Sequence, residues 1–563
     1  PYTRWTEISD STRDEIRIWY ENVLKRYDLH RFVAGGALPG IHIPWIIHSS
    51  KFLEEGGRLG MIISDSWLQT EYGIGFLRYL TENFKIHAII DIASRVFQVP
   101  LIGTCIILLE KSDNEKDRDE NRTVLLYLPE GERFEVNEII DIINTARGSN
   151  ISNVKSGDRK FIVRVLTQKE LKSISFKPII LFFDVDYVLA FMKSSNKAVK
   201  LGDIFQPSEG NTFWSVFASL SGRGAGVGGE DFYYLNEDDV RDHNLTQYKD
   251  VFLIPLVASP DMLKYFVFEK SDWDKRRVYI LIANRPHNEL PPEIQRYIEL
   301  GEKQIIITKG PNKGKPVSES SVAKIRARLG TQTIMGRTVR FNGWYDLGGV
   351  VEAPIYATYG AQYWARFVLA RFQCALDHRI LALIPREGVS FDDTELKALL
   401  AYLNSSFNQL QAEVRGRSTG LGMIELDVKP LSEFLVLDVK RLRREDVERL
   451  GSLFDKLEDE ARRLGGADTP EGIYGSELAR ELTGKANVRP EVKGLFNTVI
   501  REIDYEIGRI LGLGDSVVED TRSLVLELAG RRLSRTGEAR VDALRGSEEQ
   551  AVRRARRRAE RGE

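Results

Sequence analysis

Apolar residues recur at helical spacing near the start of the chain (Ile16, Trp19, Tyr20, Val23, Leu24, Tyr27), which predicts an amphipathic helix within residues 12–34. The run Gly35-Gly36-Ala37-Leu38-Pro39-Gly40 ends it, because glycine and proline break the repeat. Residues 41–55 predict a second helix, with aromatic and isoleucine side chains toward a core. A short apolar strand is expected from Arg58 to Ile63, then a helix from about Ser66 to Phe84. Two more strands follow, Ile86 to Asp91 and Gly103 to Glu110. Helices and strands alternating over short connections predict an open, doubly wound α/β sheet. The charged stretch Lys111 to Arg122 reads as a linker or hairpin tip, and residues 123–200 mix strands and helices without a signature. Aromatic β-like segments with Gly-rich and basic loops then run to about Asp438, the texture of an α+β domain. Beyond it the pattern is helical and charged, ending in Arg553-Arg554-Ala555-Arg556-Arg557-Arg558. The divisions expected are 1–115, 116–200, 201–440 and 441–563.

With 563 residues there is room for two to four domains. The composition, 42% hydrophobic and 29% charged, is that of an ordinary globular protein. A net charge of −2 does not argue against a nucleic-acid partner, since cations gathered on one face disappear in the average. Cys105 and Cys374 lie far apart, so no disulfide framework is expected and a reducing cytoplasm fits. The seven histidines do not cluster at ligand spacing with Cys or paired carboxylates, so no structural metal is expected. The most apolar stretch, Ala88 to Leu109, is interrupted by Asp91, Arg95, Gln98 and Pro100; it predicts two strands around a loop and no membrane partner.

Chemistry enters with Gly56-Gly57-Arg58-Leu59-Gly60-Met61-Ile62-Ile63-Ser64-Asp65-Ser66-Trp67-Leu68, followed by Asp91-Ile92-Ala93-Ser94-Arg95-Val96-Phe97. This order resembles the second half of the catalytic domain of TaqI-like (gamma-class) adenine-N6 DNA methyltransferases, a Rossmann-like sheet. The catalytic loop of that family reads Asn-Pro-Pro-Tyr, and the resemblance makes Pro1-Tyr2 its last two letters. It implies that Tyr2 stacks on the target base, that Pro1 is the second proline, and that Phe97 is a further aromatic against the same base. It also implies S-adenosylmethionine as methyl donor. The family's Asn, its first Pro and its Gly-rich cofactor segment have no counterpart here, so the cofactor pocket is expected upstream and the isolated chain is expected to be inactive. Such chemistry needs a base taken out of the duplex, aromatic faces to grip it, and hydrogen-bond acceptors for the amine as positive charge develops on nitrogen. The downstream run Leu511-Gly512-Leu513-Gly514 follows an amphipathic helix and no buried strand, so it reads as a turn and a permuted cofactor site is rejected.

Four further segments resemble, in order, the family's target-recognition domain: 201–205, 223–235, 401–406 and 416–426. Val227 stands where relatives commonly carry Thr. Glycines let backbone N–H groups approach phosphates, and arginine forks onto guanine or phosphate. Arg223, Gly224, Gly228, Lys313, Arg415 and Arg417 are therefore candidate contacts to double-stranded DNA, with Lys309 and Lys315 beside Lys313. The plain alternative for each is a solvated loop charge or a flexible loop. The Arg-rich end reads as a charged, frayed helix or as a phosphate contact. Three functions stay open: an adenine-N6 methyltransferase, the C-terminal part of a bifunctional restriction–modification enzyme, and a non-catalytic DNA-specificity module. The nuclease spacing Pro-Asp…Glu/Asp-x-Lys is not met, since Glu269-Lys270 after Pro260-Asp261 lacks the intervening residue.

Overall fold

The computed structural model describes residues 8–29, 41–70, 72–92, 103–128, 134–148, 161–173, 177–183, 185, 188, 192, 195–308, 312–418, 422–483 and 492–533. The chain divides into two compact units, Pro1–Ala190 with Arg535–Glu563, and Phe191–Ser534. None of the described helices is long and apolar enough to cross a membrane.

In the first unit, α1 (Asp10–Arg26) is capped by the Ser9 hydroxyl and α2 spans His42–Ser49. Helix α1 stops well before the glycine run because Asp28 takes a left-handed conformation (φ 56°). The sheet contains β1 (Arg58–Ser64), β2 (Phe84–Ile92), β3 (Thr104–Lys111), β4 (Arg122–Leu128) and β5 (Ile162–Thr167), in the order β1-β3-β2-β4-β5. Helix α3 (Tyr72–Asn83) joins β1 to β2, and α4 (Val136–Gly148) lies between β4 and β5 in the chain.

The doubly wound expectation needs correction, because the sheet is mixed. Strand β3 inserts antiparallel between β1 and β2, β4 is parallel to β2, and β5 is antiparallel to β4. The crossover through α3 leaves β1 and β2 one strand apart. Strand β3, with Cys105, Ile107 and Leu109 buried, fills that gap. Two of the five strands come from 116–200, the region expected to connect domains. Ala88, Ile90, Val124, Leu126, Val163 and Val165 form a core under Ile143 and Ala146 of α4. Burying these six strand residues and two helix residues is what binds β4 and β5 into the sheet.

The second unit is built on another five-stranded sheet. Its strands are β6 (Phe205–Glu209), β7 (Val267–Phe268), β10 (Ile355–Thr358), β11 (Phe367–Ala370) and β12 (Ile380–Pro385), ordered β7-β11-β10-β12-β6. A separate hairpin, β8 (Thr331–Ile334) and β9 (Arg337–Arg340), stands outside that sheet. Helix α5 (Phe213–Leu220) follows β6, and α6 (Asp393–Leu403), α7 (Ser406–Arg415), α8 (Arg444–Leu464) and α9 (Val499–Leu511) come later. The helices expected as a tail from 441 onward belong to this same compact unit through Ser534. Asp504 of α9 explains why: fully buried, it accepts from the Ser406 amide (2.8 Å) and hydroxyl (2.6 Å) at the start of α7 and from Arg522 (2.7 Å). Gly512 caps α9 in a left-handed turn (φ 74°), as the reading of Leu511–Gly514 required.

Candidate functional site

In open α/β sheets ligands approach the carboxyl ends of the strands. In the first unit that end is formed by Ser64, Asp65, Asp91, Ile92 and the start of β3. Register places Thr104 opposite both Ser64 and Ile92, and Cys105 opposite both Ile63 and Asp91. Asp65 and Asp91 are buried carboxylates, 3% and 0% exposed, at these strand ends. The Asp65 amide donates to the Gly103 carbonyl at 3.0 Å. A Cβ on Gly103 would lie 2.4 Å from an Asp65 carboxylate oxygen, so a larger residue there would displace that carboxylate. Buried Thr104 Oγ1 has no hydrogen-bond partner among the described residues.

Side-chain contacts tie the floor of the site together. Trp67 donates from Nε1 to Cys105 Sγ (3.1 Å) and stands edge-on to Phe76, while Ser66 and the Tyr72 hydroxyl lie 2.9 Å apart. Burial drives the Tyr72 phenol well above its usual range, so it remains a neutral hydrogen-bonding group. Chemically, the strand ends offer carboxylate and hydroxyl acceptors in a buried setting, suited to an amine or hydroxyl ligand. Asp65 and Asp91 stood inside the quoted motifs without a role; the signal was an acid at the end of an apolar strand. Pro1, Tyr2 and Phe97 lie outside the described residues.

The second unit brings two separately expected loops together. Trp214 of α5 donates to the Gly226 carbonyl (3.0 Å) and Ser215 to the Ala225 carbonyl (3.3 Å), pinning 222–229 to the core. Gly228 is left-handed (φ +77°), and a Cβ there would lie 2.6 Å from Val322 Cβ. A Cβ on Gly229 would lie 2.5 Å from Val317 Cγ1. The Asp231 carboxylate accepts from the Thr308 amide (3.1 Å) and hydroxyl (2.9 Å). Buried Arg326 holds the junction, donating to the Trp344 carbonyl (2.9 Å) and Tyr233 hydroxyl (2.8 Å) beneath the Trp214 ring. Arg223, Gly224 and Lys313 are exposed on this assembly, whereas Val227 is buried.

The other two arginines are placed differently. Half-buried Arg415 ends α7, where desolvation lowers its pKa and nearby Glu433 partly offsets the shift. Arg417 is already engaged: it pairs with Glu425, lies 3.4 Å from Asp427, and donates to the Tyr359 hydroxyl at 3.2 Å.

Beneath Gly226 lies a charged cluster that the sequence did not disclose. Glu230, Asp377 and His378 bring three potential metal-ligand atoms within 4.8 Å of one another. Arg379 occupies that neighbourhood, with Nε donating to Asp377 at 2.6 Å and a terminal nitrogen 3.7 Å from Glu230. The Tyr234 hydroxyl also donates to Asp377, at 2.7 Å. Burial opposes the Asp377 charge, but His378 and Arg379 outweigh it and hold the carboxyl well below its ordinary range. In turn Asp377 raises the pKa of His378.

Residues 24–142, which carry β1 to β4 and the strand-end site, match the family N-6 DNA Methylase. The chain is similar to the Type II methyltransferase M.BstVI of Geobacillus stearothermophilus, 32% identical over 92 residues, 16% of this chain and 14% of that protein. It is also similar to the Type II methyltransferase M.AccI of Acinetobacter calcoaceticus, 20% identical over 450 residues, 77% of this chain and 69% of that protein. Among solved structures it is similar to the type IIG restriction endonuclease BpuSI (TM-score 0.41, 11% identity, 92% of this chain and 52% of that one). A second is the Type IIL restriction-modification enzyme MmeI in complex with DNA (TM-score 0.45, 10% identity, 95% and 56%). The chain thus spans about half the length of both structures.

Proposed function

We propose that this chain is part of a DNA methyltransferase of the gamma class that methylates adenine N6, its first unit carrying catalysis and its second reading DNA. The observation that carries the reading is the match to N-6 DNA Methylase over residues 24–142, the segment that buries Asp65 and Asp91 at the carboxyl ends of β1 and β2. The exocyclic amine of adenine is paired inside the duplex, so the base is flipped out before reaction. Tyr2 and Phe97 are the aromatic faces assigned to the flipped base, with Pro1 beside them. Stacking at about 1–3 kcal/mol per base offsets part of the unpairing cost. A carboxylate at the mouth of the site accepts hydrogen bonds from an amine that gains positive charge, which stabilises the transition state more than the ground state.

S-adenosylmethionine is the methyl donor in this proposal and supplies the methyl group. The glycine-rich run Leu511–Gly514 does not fit it. Gly512 closes α9 and donates its amide to helix carbonyls, so it is not a loop between a strand and a helix.

In the second unit, exposed Arg223 and Lys313 are proposed phosphate contacts, with Gly224 and Gly228 shaping the 222–229 loop. Arg415 and Arg417 are weaker members of the set, since Arg415 is half-buried and Arg417 would have to exchange Glu425 and Asp427 for DNA.

The test is transfer of tritiated methyl from S-adenosylmethionine to unmethylated duplex DNA by the protein at the full length its gene encodes. Nucleoside digestion should place the label on N6-methyladenine. Label on cytosine would refute the assigned base, and absence of transfer across a random-sequence library would refute the activity.

A further inference from the structure

The chain as a whole is nearly neutral, with 80 basic and 82 acidic residues, but residues 309–340 are not. They hold four lysines and four arginines against one acid, Glu319. This segment ends in the hairpin β8–β9, whose pairs are Thr331 with Arg340, Gln332 with Val339, Thr333 with Thr338 and Ile334 with Arg337. Residues directly opposite in an antiparallel pair share a face. Ile334 and Val339 are buried, so one face is fastened to the core. The other face, formed by Thr331, Thr333, Thr338 and Arg340, is exposed at all four positions. The turn has two residues, Met335 (φ 49°) and Gly336 (φ 74°), both left-handed as the tightest hairpin turns require. Methionine in that region costs roughly 1–2 kcal/mol, so the core contacts of Ile334 and Val339 hold the ribbon in shape. An open cleft of about 720 Å³, lined in part by Leu220, Met335 and Arg337, separates the tip from the neighbouring sheet.

Neither Arg337 nor Arg340 has a carboxylate partner among the described residues. Other surface arginines of the same unit do: Arg276 is paired with Asp261, Arg371 with Asp393 and Arg417 with Glu425. Unpaired cations beside exposed threonines, on a ribbon anchored by Ile334 and Val339, are matched to a polyanion. A two-stranded ribbon fits the major groove of B-form DNA, about 12 Å wide. There an arginine forks onto guanine, while threonine offers a hydroxyl to base edges and a methyl to thymine.

We propose that the hairpin Thr331–Arg340 enters the major groove of duplex DNA and reads base edges through Arg340, Thr333 and Thr338. Arg223 and Lys313 hold the flanking phosphates. The inference rests on the reading that the second unit binds DNA. It adds the element that determines sequence, none of whose residues was a candidate in the sequence. The deep, narrow major groove of duplex RNA does not admit such a ribbon.

The experiment is selection from a random duplex DNA library by the chain 1–563, followed by competition binding of the enriched sequence. Wild-type chain should enrich one recurring sequence and prefer it over duplex RNA and polyglutamate. Arg340→Ala should lower affinity for that sequence about 5- to 150-fold and make one position of the site degenerate. Affinity for unrelated duplexes should change less than about threefold, because base contacts carry the sequence information and phosphate contacts do not. Arg340→Lys keeps the charge but loses the fork, so it should lose most of the discrimination; it also serves if the alanine variant does not fold. Hairpin variants that enrich the same sequence at unchanged affinity would overturn the hairpin's role and leave DNA binding standing. Wild-type chain that binds all duplexes alike overturns the hairpin as a reader. Wild-type chain that binds no duplex, or binds polyglutamate as well, overturns the DNA reading and the inference together.

Discussion

The pair Gly229 and Val317 separates two meanings of the glycine-rich loop: close approach to phosphate, or close packing on the basic segment. Gly229 does not take a left-handed φ (φ 163°), so left-handed strain is not the obstacle to an alanine there. Space is the obstacle. Its Cβ would stand 2.5 Å from Val317 Cγ1 and 3.1 Å from Cγ2, in a site where Val317 is fully buried. Carbon atoms prefer about 3.5–4.0 Å, so one element must move by roughly 1 Å, an overpacking cost of about 1–3 kcal/mol. Val317 cannot retreat easily, because its amide donates to the Ile305 carbonyl (3.2 Å) and its carbonyl accepts from the Ser320 amide (3.1 Å). Val317→Ala removes two buried methyl groups and should cost about 2–3 kcal/mol. In the double variant the new methyl at 229 enters the space the valine vacated. The combined loss should then fall short of the sum by about 1–3 kcal/mol. Urea unfolding read by tryptophan emission measures all three variants, Trp214 and Trp344 lying in this core. Additivity within about 0.5 kcal/mol would refute the packing argument. DNA affinity completes the test: if the double variant regains affinity along with stability, Gly229 is there to pack. If stability returns and affinity does not, the backbone must approach phosphate.

Two further predictions concern titration and a buried ion pair. His42 is fully buried, neither ring nitrogen has a hydrogen-bond partner among the described residues, and burial pushes its pKa down to about 3. Between about pH 6.5 and 3 the unfolded chain takes up a proton that the folded chain refuses, so stability falls by up to about 1.4 kcal/mol per pH unit as the solution is acidified. Urea midpoints from pH 7 to 4 should show a steep acid limb that His42→Phe makes shallower; an unchanged limb counts against it. Arg522→Ala leaves Asp504 buried without its cation and should cost about 3–5 kcal/mol. Burial raises the Asp504 carboxyl to about 6 even with Arg522 and Ser406 donating to it. Proton uptake therefore stabilises the fold as pH drops below that value, and the loss in Arg522→Ala should be larger at pH 8 than at pH 5, read by the melting temperature.

Local pattern carried far in this chain. The period-3.6 run around Tyr20 and Leu24 and the apolar runs at Ile63, Ile89 and Ile107 lie where helix and strands form, because side-chain periodicity is a local property of the backbone. The loops bearing Arg223 and Lys313 were likewise legible from glycine and charge alone. Strand order was not, since nothing local distinguishes a β3 that extends the sheet from one that inserts between β1 and β2. Nor did the region 116–200 announce β4 and β5, whose burial comes from partners distant in the chain. Arg417 looks like Arg223 in sequence, yet Glu425 and Asp427 neutralise it from a facing strand and the turn after it. The hairpin at 331–340 has modest apolar character and gave no signal as a site. Its exposed threonine–arginine face exists only because Ile334 and Val339 find a core to bury against. Local side-chain order was enough to mark most helices and strands and to show what family the first unit resembles. Which cations remain unpaired and which glycines are packed emerges only on folding, since Gly229 meets Val317 and Arg276 meets Asp261 through packing that no local pattern encodes.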